Sequence, residues 1–139
     1  MLTIPQNPAS RLAAVRARIA AAACAAGRDP GSITLIGVSK AQPADAIRDA
    51  AAAGLTDVGE NYVQEAVGKM DSLADLPLTW HFIGPLQSNK TRPIAEHFDW
   101  VQSVDRLKIA ERLSEQRPAH LPALNVLIQV NISGEATKS

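Results

Sequence analysis

Between positions 33 and 131 the sequence switches repeatedly between short β-branched apolar runs and stretches with helical spacing, and this alternation limits the fold more than any other feature. Residues 33–39 form the first strand-like run. Pro43 stands at a first helical position, Ile47 lies inside the helix that continues to Ala53, and Gly54 stops it. A second strand is expected over 55–59, then a helix over 62–73 with Val63, Ala66, Val67 and Met70 as its apolar stripe. A third strand follows over 78–83, and a helix interrupted by Pro93 lies within 87–97. Residues 99–103 give the fourth strand, and Asp105 caps a helix carrying Leu107, Ile109, Ala110 and Leu113. Residues 125–131 form the fifth and clearest strand. A leading helix over 11–26, capped by Ser10 and ended by Gly27, precedes them all. Strand–helix alternation builds a parallel sheet covered by helices. Periodicity alone leaves both an open doubly wound sheet and an arc of a barrel available.

A chain of 139 residues suits one domain, and 14 basic against 14 acidic residues give no net charge. That balance argues against a general nucleic-acid binder, which normally carries a basic surplus. The single cysteine, Cys24, excludes an internal disulfide, and its Ala-rich surroundings suggest a buried structural thiol. No basic region followed by an apolar core opens the sequence, and no run of 18 apolar residues occurs, so a cytoplasmic protein without a membrane span is expected. The last residues, 134–139, follow the fifth strand with no helix to cover it, as in part of a longer domain.

Ligands of parallel α/β proteins sit beyond the carboxyl ends of the strands. Those positions carry Ser39 and Lys40, Glu60 and Asn61, His81 with Gly84, Ser103 with Asp105, and Asn131 with Ser133. Lys40 is the sharpest candidate. A lysine directly after a buried strand can be partly desolvated, which favours the neutral nucleophilic amine and Schiff-base chemistry with an aldehyde. The competing reading has it reaching from the sheet end into solvent. His81 suits a hydrogen-bonded core histidine and a catalytic base equally well. Glu60 suits the pocket or a helix cap. No zinc-ligand spacing, dinucleotide glycine fingerprint or phosphate-binding P-loop is present. The basic run over 87–92 reads as a solvated helix start rather than an anion site.

Three segments carry a family resemblance: Val38-Ser39-Lys40, residues 59–65 (GENYVQE), and residues 80–90 (WHFIGPLQSNK). They resemble the pyridoxal phosphate homeostasis protein family, and residues 125–131 fit its next major strand. The resemblance implies a partial TIM (β/α) barrel like the N-terminal domain of alanine racemase, truncated after about five strands. Residues 1–139 would then be the N-terminal part of a single barrel domain. It further implies that pyridoxal 5'-phosphate is carried as a Schiff base on Lys40, with Asn61 and His81 on the same rim orienting the ring. No metal is implied. The expected role is cofactor binding and intracellular homeostasis without turnover, including transient delivery to pyridoxal-phosphate-dependent enzymes. A racemase-like enzyme is the alternative, since the same lysine chemistry serves both. Lys69 and Lys138 match lysines implicated in secondary cofactor handling or transfer. The phosphate-holding loops are expected beyond residue 139.

Overall fold

The structure, a computed structural model, describes residues 7–134. Helix α1 (Pro8–Ala25) starts where the Asn7 side chain accepts a hydrogen bond from the Ser10 N–H at 2.7 Å, so Asn7 rather than Ser10 is the cap. Gly27, at φ 70°, turns the chain out. Five parallel strands follow: β1 (Ile36–Val38), β2 (Asp57–Glu60), β3 (Thr79–Phe82), β4 (Trp100–Val104) and β5 (Asn125–Ile128). The intervening helices are α2 (Ala44–Ala52), α3 (Val63–Ser72), α4 (Thr91–His97) and α5 (Leu107–Gln116).

The sheet order is β1-β2-β3-β4-β5, with every neighbouring pair parallel. A doubly wound sheet reverses its order at a switch point. Here each crossover advances in the same direction, and right-handed crossovers therefore place the covering helices on one side. This singly wound order is the arrangement of a (β/α) barrel arc, as the sequence resemblance implies.

Four strands are shorter than the apolar runs suggest, and β4 keeps its expected length, shifted by one residue. β1 begins only at Ile36, where pairing with β2 starts, and β5 ends at Ile128, before the expected 131. Pro43 caps α2 from outside rather than opening it. Pro93 falls in the first turn of α4, where its missing N–H leaves no helical hydrogen bond unmade. Arg106, not Asp105, occupies the cap position of α5 and makes no side-chain capping bond.

Paired residues on adjacent strands point to the same face. Val58 pairs with Trp80, Glu60 with Phe82, and Phe82 with Val101, and this face meets the helices. Its core includes Ile47, Val58, Phe82, Ile94, Phe98, Val101, Ile109 and Leu113. Phe98 meets Phe82 edge-to-face, with ring centroids 5.3 Å apart. Arg117 closes the end of α4 by donating to the carbonyls of Ala95 and Phe98 at 2.8 and 2.7 Å. Cys24 is exposed, contrary to the buried thiol expected from its neighbours: α1 buries only Ala23, and the next side chain lies about 100° around the helix. Val126, Leu127 and Ile128 of β5 are all exposed, matching the expectation that this strand lacks cover. Among the described residues no helix is long and apolar enough to cross a membrane.

Candidate functional site

Lys40 follows β1 after one residue. The ladder continues to Ser39, whose N–H donates to the Gly59 carbonyl at 2.9 Å, and the chain then turns. Lys40 is exposed, which favours the reading of a side chain reaching outward over one desolvated at the strand end. Ala41, next in sequence, sits at φ 60°, in the left-handed region that a residue with a Cβ occupies only at a cost.

Asn61 stands at the corresponding end of β2, and its buried Oδ1 has no hydrogen-bond partner. A buried acceptor without a donor within the protein is costly. Gly84 packs on it from the end of β3: a Cβ there would lie 2.6 Å from the Asn61 Cβ and 2.7 Å from its carbonyl oxygen. Ser103 donates its hydroxyl to the Gly84 carbonyl, fixing that close approach. Beside it opens a cleft of about 290 Å³ between the β2–α3 and β3–α4 connections, lined by Asn61, Tyr62, Gln64, Phe82, Pro85 and Lys90 among others. Lys40 does not line this cleft, and among the described residues no hydrogen bond or ion pair joins it to Asn61 or His81.

His81 lies on the face opposite the helices, the concave side of a barrel arc, and is 4% exposed. Its Nε2 lies 2.7 Å from Asp57 Oδ2, and its Nδ1 lies 3.0 Å from Gln102 Nε2. An amide NH₂ can only donate, so Nδ1 accepts and Nε2 carries the proton toward the carboxylate. The ring stacks on Trp100, with centroids 5.7 Å apart and planes 12° from parallel. Both ring nitrogens are thus engaged within the protein. His81 is the hydrogen-bonded core histidine of the two sequence readings, with its partners drawn from the two flanking strands, β2 and β4.

The largest surprise is Lys69. In α3 the buried positions are Val63, Ala66 and Lys69, so a lysine occupies the stripe that the apolar spacing assigns to Met70. Glu60, on the helix-facing side of β2, is completely buried, and Lys69 Nζ donates to both its oxygens at 3.1 Å. The same ammonium donates to Glu65 Oε1 and to the Ser39 carbonyl, each at 2.7 Å. The Ser39 hydroxyl donates to Glu60, and the Ala41 N–H to Glu65 Oε1 at 2.8 Å. The Lys69 ammonium is thus held by three carbonyl and carboxylate groups within the protein. Glu60 is a buried ion-pair partner, neither a helix cap nor a pocket residue. Lys138 lies outside the described residues.

Hydrogen bonds from Lys69 and from the Ala41 N–H hold the Glu65 carboxyl below its ordinary pKa. A carboxylate with a depressed folded-state pKa contributes stability above its unfolded value, roughly 4.3, and loses that contribution as pH falls through the folded one. Urea midpoints measured down a pH series should therefore decline below about pH 4. The decline should be shallower in Glu65→Gln.

A singly wound parallel arc with its covering helices defines a barrel-type α/β protein. No protein-family model matches the chain. It is 69% identical over its whole length to the pyridoxal phosphate homeostasis protein of Pseudomonas aeruginosa, and 59% identical over 134 residues to that of Escherichia coli. It spans 59% and 57% of those relatives' lengths. PipY of Synechococcus elongatus, solved with pyridoxal phosphate bound, superposes with a TM-score of 0.67 and 51% identity over 78% of this chain and 47% of its own. An unknown protein from Bifidobacterium adolescentis superposes at TM-score 0.82 and 34% identity, over 95% of this chain and 58% of its own. The chain is thus similar, over its whole length or nearly so, to the N-terminal three fifths of pyridoxal phosphate homeostasis proteins.

Proposed function

We propose that the chain is the N-terminal part of a single cytoplasmic barrel domain that binds pyridoxal 5'-phosphate through Lys40, and that it stores and hands on the cofactor rather than turning over a substrate. The observation that carries this reading is the rim itself. Lys40 ends β1 with an exposed amine outside the internal hydrogen-bond network, and Asn61 ends β2 with a buried oxygen that lacks a donor. The cofactor supplies an aldehyde, which condenses with a primary amine, and ring substituents able to donate a hydrogen bond. Lys40 would hold it covalently and Asn61 would orient it. His81, with both nitrogens occupied, would act as a rigid part of the wall through its stack on Trp100. The solved relative with pyridoxal phosphate bound supports the choice of cofactor. Phosphate contacts from outside these residues would complete retention, and enzymes that need the cofactor would be its recipients.

Titration with pyridoxal 5'-phosphate, followed by the absorbance of the bound cofactor, tests the assignment. Lys40→Ala should lose the protein-dependent band. Asn61→Ala should keep it with binding weakened about two- to tenfold, the contribution of one hydrogen bond. An unchanged band in Lys40→Ala would refute the reading.

A further inference from the structure

We propose that Lys69, Glu60 and Glu65 form a positioning clamp for Lys40, fixing the backbone on both sides of it while leaving its side chain free. The inference rests on the reading of Lys40 as the attachment point. Ser39, before it, is held at three atoms. Its N–H donates to the Gly59 carbonyl at 2.9 Å, its hydroxyl to Glu60, and its carbonyl accepts from Lys69 Nζ at 2.7 Å. Ala41, after it, donates its N–H to Glu65 Oε1 at 2.8 Å, and that same oxygen accepts from Lys69 at 2.7 Å. One buried ammonium therefore ties together both neighbours of Lys40.

The conformation being held is not one the chain would choose unaided. Ala41 at φ 60° is in the left-handed region, and a non-glycine residue stays there only when its surroundings fix it. Lys40 itself is exposed and joins none of these bonds. The clamp thus separates two demands on adjacent residues: a fixed Cα–Cβ direction and a mobile, reactive amine. A flexible turn would spread the amine over many positions, and a buried lysine could not reach a ligand. Burying Lys69 and Glu60 is expensive, and an apolar pair could fill the same space, so the specificity of the turn gives the ion pair a use beyond packing. None of the three clamp residues touches the reacting atoms. Their role is positioning, not catalysis.

Glu65 is the place to test this, because it is partly exposed and tolerates change better than its buried partners. Glu65→Ala removes the acceptor for the Ala41 N–H, whereas Glu65→Gln retains an oxygen that can accept it. Two readouts are taken on each variant of the chain. The first is amide hydrogen exchange at Ala41, referenced to the core amide of Val101. The second is reductive trapping with pyridoxal 5'-phosphate and cyanoborohydride, scored as adduct on Lys40 relative to exposed Lys108 in the same sample.

Glu65→Ala should speed Ala41 exchange about tenfold or more while Val101 stays protected. It should also reduce the Lys40 to Lys108 adduct ratio several-fold, and Glu65→Gln should restore most of both. Unchanged Ala41 protection and an unchanged ratio in Glu65→Ala would overturn the clamp. So would equal acceleration at Ala41 and Val101, which would mean that Glu65 serves global stability alone. If the unsubstituted chain shows no preference for Lys40 over Lys108, the attachment reading fails instead. The exchange at Ala41 then decides whether the turn is clamped.

Discussion

Replacing Lys69 with methionine is expected to lower the unfolding free energy by about 3–5 kcal/mol, read from urea denaturation at neutral pH. The substitution leaves Glu60, with no exposed surface, facing the helix layer with the Ser39 hydroxyl as its remaining donor. Most of the loss is the cost of that stranded carboxylate rather than the worth of the ion pair. A second substitution should separate the two. Adding Glu60→Gln to Lys69→Met removes the charge and should recover a large share of the stability. A single Lys69→Met loss below about 1 kcal/mol would mean the pair behaves like a surface salt bridge, against its burial.

Phe98→Ala should cost a comparable amount, about 3–5 kcal/mol, for a different reason. The Phe98 side chain is fully buried between the end of α4 and the sheet, with its ring against Phe82. Truncation removes that edge-to-face contact and leaves a cavity. The surrounding atoms are poorly placed to fill it, because Arg117 pins the Phe98 carbonyl from another direction. Phe98→Leu should cost distinctly less, since it keeps most of the volume. Equal losses for the two variants would mean that the ring contact, not the cavity, accounts for most of the destabilisation.

All five strands and their helical connections were legible in the sequence because each carries its own hydrophobic period. Their ends were not. Residues 33–35 are as apolar as β1 beside them, Gln129-Val130-Asn131 still alternate polar and apolar beyond β5, and only the ladder decides where pairing stops. Sheet order was open for the same reason: the repeated β–α pattern is identical for a barrel arc and an open sheet. The rim residues Lys40 and Asn61 could be placed from strand ends alone. His81 could not be interpreted that way, because Asp57 and Gln102 lie 24 and 21 positions away and meet it only across three strands. The burial and ion pairing of Lys69 were missed because a helical stripe reads charge as exposed. The usable signal was local: Glu65 and Lys69 stand at i,i+4 with the acidic residue first, a favourable helical pair. That pairing shows contact with Glu65 but gives no hint of Glu60 beneath it.

The assignment of Lys40 is tested most directly by covalent mapping. The chain is incubated with pyridoxal 5'-phosphate, reduced with borohydride, digested, and its lysine-containing peptides are quantified by mass spectrometry. A pyridoxyl group is expected to be concentrated on Lys40, in excess over exposed Lys108 and partly buried Lys90, with buried Lys69 unmodified. An adduct concentrated on another lysine, with Lys40 bare, would contradict the assignment.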